Sequence, residues 1–116
     1  MVDFLLILHE SPQAFSGVSP AEMQQIVARY GAWAGSLAQR GHLVGGQKLR
    51  DEGGRHLRRR NERVIASDGP YAEAKDLIGG FFTIRAANYD AAQKLCEECP
   101  HLQYGWIELR EIEPTA

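Results

Sequence analysis

Residues 67–82 concentrate groups that could take part in acid–base chemistry. The stretch reads SDGPYAEAKDLIGGFF and places two acids, Asp68 and Glu73, close to Lys75. A carboxylate in a cleft can serve as a general acid or base, because burial raises its pKa and a nearby cation lowers it. The Asp-Gly-Pro triplet can equally be a constrained turn in which Asp68 only accepts backbone hydrogen bonds.

Four side chains are candidates for binding a substrate beside these acids. His9 ends an apolar run, and its imidazole titrates near neutrality. Tyr30 lies on a predicted helix and could present its hydroxyl to a cleft between helix and sheet. Tyr71 follows the turn, and Lys75 could hold an anionic substrate. Three of the four have a structural alternative: His9 as a solvated loop histidine, Tyr30 as a core tyrosine, and Lys75 as a lysine paired with a surface carboxylate.

The surrounding pattern predicts the elements that position these residues. Ser19, Pro20 and Glu22 are typical of a helix start, and Gly41 of its end. Asn88 can cap a second helix. The predicted strands and the second helix, in chain order, are strand 2–9, strand 43–49, a hairpin about Asn61 within 55–67, strand 80–86, helix 89–99 and strand 104–113. Residues 10–18 are predicted to be a loop, and the Gly79–Gly80 pair to mark a bulge or a close backbone approach.

This order of elements predicts an α+β fold with two helices on one face of an antiparallel sheet. The first strand and GFFTIRA (80–86) carry apolar residues on both faces, yet the chain has nothing more to cover the second face. Burying that face requires another sheet. The sequence therefore predicts a homodimer formed through the sheet faces.

With that architecture, the chain resembles the YCII-related superfamily in its DGPF branch. The residues that carry the resemblance are SDGPYAEAKDLIGGFFTI (67–84), in which Tyr71 replaces the usual phenylalanine. The opening strand, SPAEM (19–23), LVGG (43–46) and YGWIELREI (104–112) add to it. The resemblance implies a ferredoxin-like fold that dimerises into an α/β barrel. Related proteins are proposed to use a histidine–aspartate pair, but the helix from Ser19 to Arg40 contains no histidine, so that mechanism does not transfer.

The charge and the apolar content of the sequence limit the classes of partner that the protein is expected to bind. The net charge of −2 and pI near 6.1 give no general attraction to nucleic acid or anionic lipid. RHLRRRNER (55–63) is an arginine cluster, but we interpret it as a charged hairpin that protects a sheet edge rather than a nucleic-acid site. The longest apolar run is too short to span a membrane, and no secretion signal is recognisable, so a cytoplasmic protein is expected.

Cys96 and Cys99 lie three residues apart, and His101 could add a third metal ligand. A structural zinc site usually takes four protein ligands, and cysteines at this spacing share one face of a helix. We therefore expect both thiols to pack as small apolar groups, with neither a metal nor another cofactor.

Two functions are compatible with these features. The first is a cofactor-free lyase or isomerase acting on a small anionic metabolite, with Asp68 or Glu73 as the acid–base group. The second is a non-catalytic dimeric module that binds a ligand or regulates a sigma-factor system, an association that the resemblance suggests.

Overall fold

The computed structural model describes residues 1–69 and 76–115, which form an α+β architecture of two layers. The elements are β1 (Val2–Glu10), α1 (Pro20–Gln39), β2 (Leu43–Lys48), β3 (Arg55–Arg60), β4 (Arg63–Asp68), β5 (Leu77–Ala86), α2 (Tyr89–Glu97), a 3-10 helix (Pro100–Gln103) and β6 (Gly105–Glu111). Four strands form an open antiparallel sheet in the order β2-β5-β1-β6. The described part of the chain forms no closed barrel by itself.

The predicted limits of α1 are confirmed by its capping contacts. The Ser19 hydroxyl accepts a hydrogen bond from the backbone N–H of Glu22 at 3.1 Å, and Pro20 occupies the first helical position. Gly41 has a φ of +79°, which glycine adopts without steric strain. The buried residues of α1 are Ile26, Trp33 and Leu37, whereas Val27 is 61% exposed.

Both helices pack on the same face of the sheet, as predicted. Phe4 and Leu6 of β1 are fully buried there beside Ile84 of β5, together with Trp33 and Leu37 of α1. The helix α2 contributes Ala92, Leu95 and Cys96 to the same core. The two layers account for a thickness of only 18 Å between Cα positions.

The opposite face, called here the open sheet face, has no helix over it in the described chain. It carries the alternate residues of β1, including Leu5, Ile7 and His9, with Phe81 and Thr83 of β5 opposite them in the register. These apolar side chains are only half-buried. A partner for this face remains a prediction.

Two predicted boundaries at one end of the sheet are wrong. Glu10 belongs to β1 rather than to a loop, and β5 begins at Leu77, so that Gly79 and Gly80 lie inside a strand. Pairing between β1 and β5 extends both strands, which outweighs the weak strand preference of glycine and glutamate. The register shifts between Leu8 and His9, which confirms the predicted irregularity at the glycine pair.

The hairpin formed by β3 and β4 turns at Asn61, whose φ of +58° fits the predicted turn. Within residues 1–69 and 76–115 the two strands pair only with each other and form a separate sheet. The hairpin therefore extends neither edge of the four-stranded sheet, contrary to its interpretation as edge protection.

The cysteines pack as predicted. Cys96 and Cys99 are 7% and 3% exposed, and burial raises their thiol pKa values to about 12 and about 11. The helix α2 ends at Glu97, so Cys99 instead precedes the 3-10 helix. Among the described residues, no helix combines the length and apolar character that a membrane span requires.

Candidate functional site

A cleft of about 580 Å³ lies where the base of the hairpin meets the end of β1 and β5. Its described walls come from Glu10, from residues 49–54 and His56 on the hairpin side, and from residues 76–79 on β5. This volume suits a small metabolite.

Glu10 is the buried acid of this cleft. It continues the inward alternation of Phe4, Leu6 and Leu8, and only 7% of its surface is exposed. Its carboxyl group lies against Gly79, where a β-carbon would fall 2.9 Å from the Glu10 carboxyl carbon. The bulge and the missing side chain at Gly79 therefore make room for a carboxyl group that would otherwise not fit.

The surroundings of Glu10 favour its protonated form. Burial raises its pKa, the Lys48 ammonium partly lowers it, and the Asp51 carboxylate raises it again. Lys48 is itself paired with Asp51, with Nζ 2.9 Å from Oδ1. Glu10 is consequently a stronger base than an ordinary carboxylate, and it can retain a proton at a higher pH.

A buried histidine links α1 to the end of β1. His101 is 1% exposed, with Nε2 at 2.8 Å from the carbonyl oxygen of His9 and Nδ1 at 2.8 Å from the Tyr30 hydroxyl. A carbonyl can only accept, so Nε2 carries the proton. Burial lowers the pKa of His101, so the ring is neutral and the Tyr30 hydroxyl donates to Nδ1.

Tyr30 is thus held on the same side of the sheet as Glu10. Burial raises the pKa of Tyr30, and the charges of Cys99 and Glu10 add to the effect. The Tyr30 hydroxyl donates its proton in the hydrogen bond to Nδ1 of His101. Tyr30 therefore lies on the same side of the sheet as Glu10 but is not among the described residues that line the cleft.

His9 lies on the open sheet face, on the opposite side of β1 from Glu10. Its ring stacks on Trp106 with centroids 4.0 Å apart and planes 6° apart, and Nε2 is 3.0 Å from Oε1 of Glu108. The Trp106 indole N–H donates to Asp76 at 3.2 Å. His9 is therefore held by aromatic and carboxylate neighbours rather than being a solvated loop histidine.

The remaining predicted residues divide between described and undescribed parts of the chain. Asp68 is the last residue of β4, paired in register with Arg55 and exposed. Tyr71, Glu73 and Lys75 lie outside the described residues. The structure therefore brings neither His9 nor Asp68 to the cleft wall with Glu10, while the three others stay predictions.

Sequence reasoning missed Glu10, and one signal could have found it. The alternation that buries Phe4, Leu6 and Leu8 continues to position 10, so a strand one residue longer places a carboxylate on the core face. No comparable signal exists for His101, whose partners are far away in the sequence.

The described residues contain no group of three or more His, Cys, Asp or Glu side chains arranged to hold a metal ion. A family model for the YCII-related domain matches residues 2–116. No curated protein sequence matches the chain.

Proposed function

The chain belongs to the YCII-related domain family, and from this membership and the cleft geometry we propose that it is a small-molecule lyase or isomerase. The observation that carries the proposal is Glu10, a carboxyl group 7% exposed at the wall of a cleft of metabolite size. Burying a carboxyl group without a salt bridge among the described residues costs folding free energy. Such groups with shifted pKa values are concentrated at functional sites.

In the proposed reaction, Glu10 exchanges a proton with a carbon atom of the substrate. The ionised carboxylate removes a proton from carbon next to a carbonyl or carboxylate group, and a neighbouring leaving group departs or the proton returns at another carbon. Burial makes this carboxylate more basic, which favours the abstraction. This proton transfer requires no cofactor.

The charges around the cleft support a substrate with a single anionic group. Arg50 lines the cleft and belongs to none of the ion pairs found in the described chain, so its guanidinium can bind a carboxylate. Asp51, Glu52 and Asp76 also line the cleft and would repel a polyanion such as a nucleotide. Lys75, which precedes Asp76 in the sequence, remains a proposed second anchor, with Glu73 and Asp68 as proposed additional acids.

We also propose a ferredoxin-like topology, a dimer, and membership of the DGPF branch. Read from β6, the strand order is β6-β1-β5-β2 with both helices on one face, which supports a ferredoxin-like arrangement. The half-buried apolar residues of the open sheet face support dimerisation into an α/β barrel. The DGPF motif supports assignment to that branch, and a cytoplasmic location is proposed with it.

A deuterium-exchange experiment tests the proposal without knowledge of the product. Small monocarboxylic and keto acids are screened for binding by thermal shift, and the ligands found are incubated with protein in D₂O and followed by ¹H NMR. The wild type is expected to exchange one carbon-bound proton. Glu10→Gln should bind with similar affinity and exchange about 10²-fold more slowly.

Glu97→Gln is the matched control, since this exposed acid at the end of α2 lies away from the cleft. It should exchange at the wild-type rate. Equal exchange by Glu10→Gln and wild type would refute the role of Glu10. Binding without exchange by the wild type would favour the alternative, a ligand-binding or regulatory module.

A further inference from the structure

The hairpin stands apart from the rest of the fold. In the part of the chain that the structure describes, the strands β3 and β4 pair only with each other. A two-stranded hairpin is marginally stable in water by itself. The Cα radius of gyration is 16.2 Å, against about 13 Å for a compact chain of this length. A contact with another molecule would stabilise a projecting hairpin of this kind further.

One face of the hairpin is turned away from its own cleft. His56 lines the cleft, and the side chains of paired residues share a face that alternates along each strand. Leu57 and Arg59, with Ala66 and Val64 opposite them, therefore occupy the other face, which Arg55 and its partner Asp68 join at the base. This outer hairpin face exposes 67% of Leu57 and 59% of Val64.

The charge of the hairpin is opposite to that of the remaining chain. Residues 55–68 contain five arginines against Glu62 and Asp68, a net charge of +3. The whole chain carries −2, so the remaining residues carry −5. The hairpin as a whole is therefore electrostatically complementary to the rest of a second copy. Arg58, Arg60 and Arg63 share the face of His56, so the outer hairpin face itself carries a net charge of +1.

The mouth of the cleft has the matching pattern of apolar and acidic groups. Leu49 and Ile78 line it and are 41% and 49% exposed. Asp51 and Glu52 are exposed beside them. The outer hairpin face and the cleft mouth thus both expose aliphatic side chains, and Arg59 beside Val64 has a charge opposite to that of Asp51 and Glu52.

We propose that the outer hairpin face of each copy docks on the cleft mouth of a second copy. Leu57 and Val64 would cover Leu49 and Ile78 of the second copy, while Arg59 would approach Glu52. Under twofold symmetry each hairpin covers the other cleft, so both contacts form together. If the proposed function is correct, the second copy also closes the substrate site and excludes water from it.

Nucleic acid is the competing partner for an arginine-rich hairpin, but the hairpin suits it less well. Residues 55–68 contain no Phe, Tyr or Trp on which a base could stack. The aliphatic residues between the arginines would face phosphates without a partner. Both features favour a protein surface.

A charge-reversal cycle followed by sedimentation equilibrium tests the docking. Arg59→Glu and Glu52→Lys should each weaken dimerisation about tenfold or more, and combining them should restore most of the affinity. Arg60→Glu on the other hairpin face changes the net charge equally and should leave dimerisation unchanged. An unchanged dimer in Arg59→Glu, or a monomeric wild type, would overturn the proposal.

A disulfide cross-link between two copies tests the docking without any change of charge. A tagged Leu57→Cys variant mixed with an untagged Leu49→Cys variant should form a mixed disulfide dimer on mild oxidation, since both native cysteines are buried. Failure of that cross-link contradicts the docking, as does DNA retention that depends on Arg59. The docking test and the test of the proposed catalysis can fail independently, because Glu10→Gln should lose proton exchange and still dimerise normally.

Discussion

The carboxyl group of Glu10 occupies the space in which a side chain at position 79 would begin. The β-carbon of any residue other than glycine at Gly79 would lie 2.9 Å from the Glu10 carboxyl carbon. The bulge between β1 and β5 places these two residues together. A glycine in a strand thereby allows an acid to be buried at the cleft.

Gly79→Ala is expected to displace the Glu10 carboxyl group. Because the obstructing atoms are the end of a side chain that can rotate, the stability loss should be modest, about 1 kcal/mol. Ligand binding in the cleft should weaken with it. Urea denaturation measures the stability loss caused by Gly79→Ala in the wild-type and in the Glu10→Ala background. Most of the loss should disappear in the Glu10→Ala background, because the obstructing side chain is absent there.

Gly45→Ala is the control for this substitution. A β-carbon at Gly45 would meet no atom within 4 Å, so the added methyl group should change stability little. Equal losses for Gly79→Ala in both backgrounds would show that the glycine is needed for the backbone rather than for Glu10.

Glu10→Gln should become more stable relative to the wild type as the pH rises. Burial raises the pKa of Glu10, so the folded protein binds this proton more tightly than the unfolded chain does. The resulting stabilisation is complete below the ordinary value of 4.5 and is lost as the pH rises through the folded pKa. Glutamine does not ionise and avoids this loss.

Urea unfolding of both proteins between about pH 4 and pH 7 measures the difference in free energy. Glu97→Gln serves as the exposed control and should show no such trend. A difference between Glu10→Gln and wild type that does not change with pH would contradict the burial of an ionisable Glu10.

His101→Phe should destabilise the protein by about 2–4 kcal/mol, because the Tyr30 hydroxyl and the His9 carbonyl both lose their partner. Burial lowers the pKa of His101, so its stabilisation is present above the ordinary value of 6.5 and is lost as the pH falls through the folded pKa. The stability of His101→Phe should not show this decrease as the pH falls. Thermal unfolding over that pH range is the measurement.

Tyr30→Phe separates the two bonds of His101. It removes only the bond to Nδ1 and should destabilise the protein by about 1 kcal/mol. A loss as large as that of His101→Phe would indicate that Tyr30, rather than the histidine, holds the helix to the sheet.

The open sheet face should contribute to the same twofold homodimer as the hairpin contact. Ile7→Glu places a charge among its half-buried apolar side chains and should weaken dimerisation more than tenfold, a loss of over about 1.4 kcal/mol. Gln25→Glu adds the same charge on the exposed side of α1 and should have no effect. Light scattering at micromolar concentration is the measurement, and a monomeric wild type would refute the interpretation.

Local sequence signals specified much of the fold. Ser19, Pro20 and Gly41 fixed the limits of α1 through capping contacts that involve only neighbouring residues. The alternation in β1 placed Phe4 and Leu6 on one face and Leu5 and Ile7 on the other, and Asn61 marked the hairpin turn. These features were predictable because each depends on backbone preferences and hydrophobic period within a few residues.

The candidate site depended on contacts between distant segments. His101 reaches Tyr30 across 71 residues and His9 across 92. The burial of Glu10 requires Gly79 from another strand, and strand pairing with a bulge aligns the two. The sequence alone determined which residues favour helix, turn and core, whereas only the tertiary structure decided which carboxylate is buried, because burial depends on neighbours that folding brings together.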